Sequence, residues 1–244
     1  METRRKHIRN LLFDFGGTLD LPGAHWLDRF LRHYRDLGVT LTRDELDLAF
    51  TDATRRGYQA GERIYGFGLR QLVDELVSWQ IDYLLLRMPG RVPESIRTRA
   101  PTLAQRFCLE TAAGCEQSRA ALAALAPHFK IGVVSNFYGN LETVLNETGL
   151  LPLIGAVADS ARVGAFKPDP AIYRAALAML GARPEETTMI GDSLGKDCAP
   201  ARQLGLTTIW LTPATLRYTD CRAQEADLTA HTLQEVVEFC LGSI

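Results

Sequence analysis

The sequence predicts an α/β protein, in which a doubly wound parallel sheet carries an all-helical domain inserted after its first strand. Five short apolar runs end in turn residues, as buried parallel strands do. Helical periodicities separate the later runs. About 115 residues separate the first run from the second, whereas a parallel crossover needs only a dozen or more. The 244 residues are enough for one such core and one insert.

The predicted core alternates strands and helices along the second half of the chain. We expect strands at residues 8–15, 131–135, 156–158, 188–190 and 208–211. We expect helices at residues 116–125, 141–150, 171–180 and 196–204. The third of these helices has a clear start signal, because Asp169 is a good N-cap and Pro170 suits the first helical position.

The long segment between the first two strands has a helical pattern. Trp26, Phe30 and Tyr34 fall on one face, and a longer apolar stripe runs from Leu69 to Leu84. We therefore predict a helical insert at residues 21–113 and a Rossmann-like core formed by residues 1–20 and 114–244. Within the insert, residues 55–68 combine glycines with Arg and Tyr, a composition suited either to a substrate loop or to a connection between helices.

Composition excludes several classes of partner. The formal charge is −2, which gives no basic patch for nucleic acid or for an anionic membrane surface. No apolar stretch reaches the 18 residues of a membrane-spanning helix. The five cysteines show no metal-ligand spacing, and the N-terminus has no apolar signal segment. We expect a cytoplasmic protein with reduced thiols; the sequence does not indicate its oligomeric state.

Two acidic segments follow predicted strands. Asp14 lies near the end of the first run, just before Gly16 and Gly17, and Asp192 and Asp197 lie five residues apart after the fourth run. Each aspartate alone is also typical of a turn or a helix cap. A buried carboxylate without a partner is costly, so their joint occurrence at strand ends predicts a shared partner.

Other polar groups follow the remaining strands. Ser135 and Asn136 end the second strand, and Lys167 stands in a Lys-Pro-Asp-Pro turn before a helix. Ligands of open α/β sheets bind at the carboxyl ends of the strands, so these groups should meet the aspartates there. Hard oxygen ligands favour Mg²⁺, which binds through one or two carboxylates together with substrate phosphate. The cluster predicts a magnesium ion and a small phosphorylated substrate.

These residues resemble the four motifs of the haloacid dehalogenase superfamily. The order of the motifs and the position of the insert agree over nearly the whole chain, and the insert resembles the C1-type cap of that superfamily. The matching segments are Asp14-x-x-Gly17-Thr18-Leu19, Ser135-Asn136, Lys167-Pro168 and Gly191-Asp192-Ser193-x-x-x-Asp197. The resemblance implies a hydrolase, most often a phosphatase that forms an aspartyl-phosphate.

The resemblance also implies a role for each matched residue. Asp14 would be the nucleophile, and Lys167 would offset the charge of the nucleophile and the phosphate. Mg²⁺ would be held by Asp14, the carbonyl oxygen of Gly16 and Asp192, with Asp197 orienting metal-bound water. Substrate binding would fall to the hydroxyl of Ser135, the backbone at Asn136 and the loop of motif one at Gly17 and Thr18.

The sequence departs from the superfamily pattern at Gly16. Most phosphatases of the superfamily carry a second aspartate there, which protonates the leaving oxygen and later activates water; such acid-base catalysis contributes about 10²- to 10⁴-fold. Asp20 is our leading candidate for a substitute. His25 or Glu62 could serve instead, or the substrate could have a good leaving group.

Glycine at position 16 is also compatible with other activities of the superfamily. Dehalogenases of the superfamily lack the second aspartate but do not need Asp192 and Asp197. Phosphonatases use a cap lysine for a Schiff base, and the helical insert contains no lysine. An inactive relative that binds without catalysis is a further alternative. The retained Asp14, Lys167, Asp192 and Asp197 favour a working enzyme.

Overall fold

The computed structural model describes residues 8–213 and 225–242. Its core is a parallel sheet of six strands in the order β3-β2-β1-β4-β5-β6. The strands are β1 (Asn10–Phe13), β2 (Lys130–Ser135), β3 (Ala156–Asp159), β4 (Thr187–Gly191), β5 (Thr207–Leu211) and β6 (Leu228–Ala230). The predicted α/β class and parallel sheet are therefore confirmed.

All five predicted strands are present. The sixth strand, β6, was missed because it has only three residues, of which one is buried. It pairs with β5 between Ile209 and Leu228. Cys221, one of the five cysteines, lies outside the described residues; the other four are free thiols.

Helices connect the strands of the core. They are α6 (Leu141–Glu147), α7 (Ser160–Val163), α8 (Pro170–Leu180), α9 (Ala199–Gln203) and α10 (Leu233–Leu241). The predicted N-cap of α8 is confirmed, because the Asp169 side chain accepts a hydrogen bond from Ala171 N at 2.8 Å. The helix expected at residues 196–204 is instead a π-helical turn at Leu194–Cys198, followed by α9.

Five helices follow β1 before the second strand. They are α1 (Trp26–Asp36), α2 (Arg43–Ala60), α3 (Glu62–Tyr65), α4 (Leu69–Arg87) and α5 (Ile96–Leu125). The 30-residue α5 continues through residue 113, where we had placed the end of the helical insert. Its second half approaches the segment after β1: Ser118 Oγ donates to Leu19 O at 2.6 Å, and a Cβ at Gly114 would overlap the backbone of Asp20.

The strand order fixes the place of the candidate residues. β1 lies between β2 and β4, with Phe13 opposite both Val133 and Ile190. The chain leaves β1 toward β2 on one side and returns to β4 on the other, so a crevice opens at the carboxyl ends of these strands. The segments that begin at Asp14, Asn136 and Asp192 all start there. Among the residues described, no helix is long and apolar enough to cross a bilayer.

Candidate active site

Three aspartates meet at the carboxyl edge of the sheet. Asp14 follows β1, Asp192 follows β4, and Asp197 lies in the π-helical turn after β4. One carboxylate oxygen from each lies within 4.8 Å of the others. Asp14 is 7% exposed and Asp197 is fully buried. The structure thus brings together the three carboxylates that sequence analysis assigned to the metal.

Lys167 joins two of these carboxylates. Its Nζ lies 2.7 Å from Asp14 Oδ1 and 2.6 Å from Asp197 Oδ1. Burial on its own would lower the pKa of Lys167, but the two aspartates raise it above its ordinary value. The lysine is therefore a permanent cation of the site.

The Asn136 side chain holds the backbone of Lys167. Its Oδ1 accepts from Lys167 N at 2.7 Å, and its Nδ2 donates to Lys167 O at 3.0 Å. This pair of hydrogen bonds fixes the turn that presents the ammonium group. The side-chain amide is used in this way, so only the backbone at Asn136 is left for a substrate.

The cluster carries more negative than positive charge. With all three carboxylates ionised beside one ammonium group, the cluster would hold two excess negative charges in a buried space. Burial, together with the charges of Asp14 and Asp197, raises the pKa of Asp192 well above its usual range. Burial likewise raises the pKa of Asp197 to about 6, against the opposing effect of Lys167. A divalent cation with a preference for oxygen ligands fits this set of donors.

The turn after β1 supports the same interpretation. The carbonyl oxygens of Phe15 and Gly17 accept backbone hydrogen bonds, while that of Gly16 accepts none from residues 8–213 or 225–242. Gly17 has a φ of +82°, and a Cβ there would overlap the Asp192 carboxylate. Glycine at position 17 is needed for both reasons. The carbonyl oxygen of Gly16 is available as a ligand.

Trp26 occupies the space beside Gly16. A Cβ built on Gly16 would lie 3.3 Å from Trp26 Nε1. A second aspartate at position 16 would therefore extend toward the indole. Helical periodicity puts Trp26 on the apolar face of the insert; it is 6% exposed, but it also lines the cavity beside the carboxylates.

The expected role of Asp20 as a substitute acid is wrong. Asp20 is fully buried and does not line the cavity. Its Oδ1 accepts from Gly17 N at 2.6 Å, and its Oδ2 accepts from Trp26 Nε1 at 2.5 Å and from Arg29 Nη1 at 2.6 Å. Burial raises the pKa of Asp20, and these donors oppose that rise. Its carboxylate holds the turn and the indole in place and has no access to a leaving group.

Two expected substrate-binding residues also lie away from the cavity. The backbone N of Gly17 is bound to Asp20, and Thr18 is fully buried behind the turn. Neither lines the cavity, whereas Ser135 and Asn136 both do. Of the other candidate acids, His25 lines the cavity, while Glu62 is exposed at the start of α3 and does not.

A cavity of about 300 Å³ opens over the carboxylates. Besides the charged groups it is walled by six aromatic side chains, namely Trp26, Phe50, Tyr58, Phe137, Tyr138 and Phe166. Sequence analysis missed this wall. The signal was present for half of it, because Phe137 and Tyr138 directly follow Ser135-Asn136 and Phe166 directly precedes Lys167.

Comparisons with known proteins point to one family. The model of the haloacid dehalogenase-like hydrolases matches residues 8–205. A zebrafish protein, haloacid dehalogenase-like hydrolase domain-containing protein 3, is 27% identical over 208 residues, covering 83% of this chain and 84% of its own. A phosphoserine phosphatase of Thermus thermophilus is 40% identical over 88 residues, and this match covers 36% of the chain and 34% of the phosphatase.

Solved structures share the fold at low sequence identity. A HAD hydrolase of Bacillus subtilis bound to magnesium superposes with a TM-score of 0.59 at 20% identity, covering 97% of this chain and all of the other. The L-2-haloacid dehalogenase RSc1362 gives a TM-score of 0.62 at 17% identity over 96% of this chain and 99% of its own. At these identities the likeness establishes the fold alone.

Proposed function

Because this chain belongs to the haloacid dehalogenase-like hydrolases, we propose that it is a Mg²⁺-dependent phosphatase that acts on a small phosphate monoester. The observation that carries the proposal is Lys167 bound to both Asp14 and Asp197, with Asp192 beside them. This arrangement joins a nucleophile, a fixed cation and the ligands of a metal ion. The phosphatase named above, though similar over only a third of its length, acts on the same class of substrate.

Asp14 is the nucleophile in this proposal. Lys167 Nζ lies 2.7 Å from its Oδ1, which orients the carboxylate. The other carboxylate oxygen can then attack phosphorus and form an aspartyl-phosphate. The same ammonium group offsets charge that gathers on the phosphoryl oxygens during transfer.

Groups at the end of β2 bind the phosphate. Ser135 lines the cavity with its hydroxyl, and the backbone at Asn136 follows directly. Hydroxyl and amide N–H groups are suitable donors to phosphoryl oxygens. Because its two bonds to the backbone of Lys167 fix that turn, the Asn136 side chain sets the distance between the phosphate site and the ammonium group.

Mg²⁺ would be held by Asp14, the carbonyl oxygen of Gly16 and Asp192. Asp197 accepts from Lys167 Nζ and from Ser193 N, so it positions the lysine and the loop of Asp192. When bound, Mg²⁺ would neutralise the two excess negative charges and draw the phosphate toward Asp14. The carboxylates of the chain otherwise repel one another and the substrate.

The site lacks a strong acid that could give a proton to the leaving group. Of the candidates from the sequence, only His25 lines the cavity. Its Nδ1 accepts from Leu27 N at 3.2 Å, so the neutral ring carries its proton on Nε2. Burial, followed by the charge of Lys196, lowers the pKa of His25. His25 can donate a hydrogen bond but is a poor source of a full proton.

The test measures release of inorganic phosphate and formation of the phosphoenzyme. We expect acetyl phosphate and activated aryl phosphates to be hydrolysed with Mg²⁺ and not in excess chelator. Asp14→Asn should lower kcat by at least about 10⁴-fold, because it removes the nucleophile. The matched control is Asp169→Asn, since asparagine is an equally good N-cap; it should keep wild-type activity. Activity of Asp14→Asn, or full activity in chelator, would contradict the proposal.

A further inference from the structure

The wall of the cavity is a continuous set of aromatic rings. Tyr58 lies 4.8 Å from Phe166 and stacks on Tyr138 at 5.1 Å, measured between ring centroids. Phe137 lies 5.5 Å from Tyr138 and 5.9 Å from Trp26. The rings come from the helical insert and from two loops of the core, so both parts of the chain present the same apolar surface to the substrate.

Two polar atoms of the insert at this wall, Thr54 Oγ1 and His25 Nδ1, already have partners. Thr54 Oγ1 lies 3.3 Å from Tyr138 Oη, and His25 Nδ1 is bound to Leu27 N. Of the described residues that line the cavity, the cations are Lys167 and Lys196, both from the core. Arg43 of the insert borders a neighbouring depression and pairs with Asp28 at 3.0 Å. A substrate with a second anionic group would find no arginine of the insert in this cavity.

The site also favours a leaving group that departs without a proton. Gly16 supplies no acid, and Asp20 is engaged on both oxygens. A phenol has a pKa of about 10, well below that of water or an alkanol. A phenolate is therefore a much better leaving group than an alkoxide when no acid assists.

Size and chemistry point to the same kind of molecule. A volume of about 300 Å³ lies at the lower end of the range for ligand pockets, roughly 300 to 1,000 Å³. It suits a phosphate with one small ring system. Ring faces prefer offset or edge contacts with other rings, which six aromatic side chains can supply.

We propose that the substrates are phosphate monoesters of an uncharged phenol, whose ring lies against the aromatic wall while the phosphate lies over Asp14. This inference rests on the proposed phosphatase function and names its substrate class. A carboxylate oxygen of Asp14 forms a bond to phosphorus as the bond from phosphorus to the aryl oxygen breaks. The phenolate leaves with the electron pair and takes a proton from solvent. The oxygen of a water molecule then bonds to phosphorus as the bond from phosphorus to Asp14 breaks, which restores the carboxylate. One proton of that water stays on inorganic phosphate, and the other goes to solvent and balances the proton that the phenolate took.

Three substrates separate the ring from the leaving group. Phenyl phosphate has both features, benzyl phosphate has the ring with an alcohol leaving group, and cyclohexyl phosphate has neither. Both esters give the same aspartyl-phosphate, whose hydrolysis also lacks the second aspartate, so the leaving groups are compared through kcat/KM. We expect kcat/KM for phenyl phosphate to exceed that for benzyl phosphate by at least tenfold and toward 100-fold, which is the lower end of what an acid contributes. The dissociation constants of these two esters from Asp14→Asn should agree within about threefold, and that of cyclohexyl phosphate should be higher. A kcat/KM for either alkyl ester within tenfold of phenyl phosphate would overturn the inference.

A variant tests the contact with the wall. Phe166 is 40% exposed, so Phe166→Leu should fold normally. We expect it to raise KM for phenyl phosphate by about 2- to 10-fold, and to raise KM for acetyl phosphate, which has no ring, by less. Tyr83→Leu, on α4 and away from the cavity, is the matched control. An unchanged KM for phenyl phosphate in Phe166→Leu would overturn the assigned contact.

Acetyl phosphate distinguishes a failure of the substrate class from a failure of the proposed phosphatase function. If it phosphorylates Asp14 while aryl esters are no better than alkyl esters, the phosphatase function stands and the substrate class is wrong. If no donor, acetyl phosphate included, gives a phosphoenzyme, then the proposed function fails and the substrate class fails with it.

Discussion

Asp14 and Asp20 lie six residues apart on the two sides of one turn, and both are buried against a cation. Asp14 shares Lys167 with Asp197 and has Asp192 as a further acidic neighbour. Asp20 pairs with Arg29, which also lies 3.4 Å from Glu110, and accepts hydrogen bonds on both oxygens. The first group has more carboxylates than cations, whereas in the second Asp20 and Glu110 face Arg29 and Arg32 in equal number. This difference separates a site that recruits ligands from a pair that stabilises the fold.

The guanidinium of Arg29 makes further hydrogen bonds within this second group. Arg29 is 1% exposed, and besides Asp20 its guanidinium donates to Phe107 O at 3.0 Å and to Thr111 Oγ1 at 2.7 Å. It therefore ties the turn after β1 to α5 across about 80 residues of sequence. The planar guanidinium presents several donors in a fixed arrangement, which a lysine could not reproduce.

The largest effect on stability should come from breaking the balanced pair. Asp20→Asn leaves the buried Arg29 charge with Glu110, at 3.4 Å and partly exposed, as its ionic partner, and we expect a loss of about 3 to 5 kcal/mol in the free energy of unfolding. Thermal unfolding should shift down by roughly 6 to 20 °C. The ratio of kcat/KM for phenyl and benzyl phosphate should stay unchanged, because Asp20 does not reach the leaving group.

Two further variants sharpen this prediction. Asp28→Asn removes an exposed partner of Arg43 and should cost less than about 0.5 kcal/mol. Adding Arg29→Met to Asp20→Asn should recover part of the stability, since no buried charge then remains. If Asp20→Asn instead selectively slows alkyl esters with little change in stability, Asp20 is a catalytic acid after all.

A smaller change in stability is expected when Mg²⁺ binds to the cluster of Asp14, Asp192 and Asp197. Mg²⁺ at 100 times its dissociation constant should stabilise the protein by about 2.7 kcal/mol, which raises the unfolding temperature by roughly 5 to 10 °C. Asp192→Asn should abolish this shift, and the control Asp169→Asn should keep it. In the absence of metal, Asp192→Asn should not destabilise the fold, because it removes a carboxylate that its neighbours repel. An equal Mg²⁺ shift in Asp192→Asn would place the ion elsewhere.

The two groups also differ in how far the sequence could predict them. Asp14, Asn136 and Asp192 stand directly after strands, and parallel strands bring their carboxyl ends to one edge, so local sequence was sufficient to predict their meeting. Asp20 follows the same motif, and its position along the chain suggested a catalytic role. Its orientation depends on Arg29, which lies on the next helix.

Contacts between distant parts of the chain were beyond the sequence patterns. The aromatic wall combines Phe50 and Tyr58 of α2 with Tyr138 and Phe166 of the core. Hydrophobic periodicity identifies a buried face of a helix, but it does not distinguish a core from the wall of a cavity. Trp26 belongs to both, which is why its contact with Gly16 appeared only in the structure. The very short β6 carried too few residues for any period to be visible.

The smallest effect should come from returning a carboxylate to position 16. The Cβ of Gly16→Asp would lie 3.3 Å from Trp26 Nε1, which is tight, and the indole cannot easily move because Asp20 holds it at 2.5 Å. We therefore expect Gly16→Asp to raise kcat for benzyl phosphate by less than about tenfold, well below the full contribution of an acid. Gly16→Asn, which has the same shape without the acid, is the control. A 100-fold rise in kcat for benzyl phosphate would show that the Trp26 indole moves aside. The balanced pair would then permit acid catalysis rather than block it.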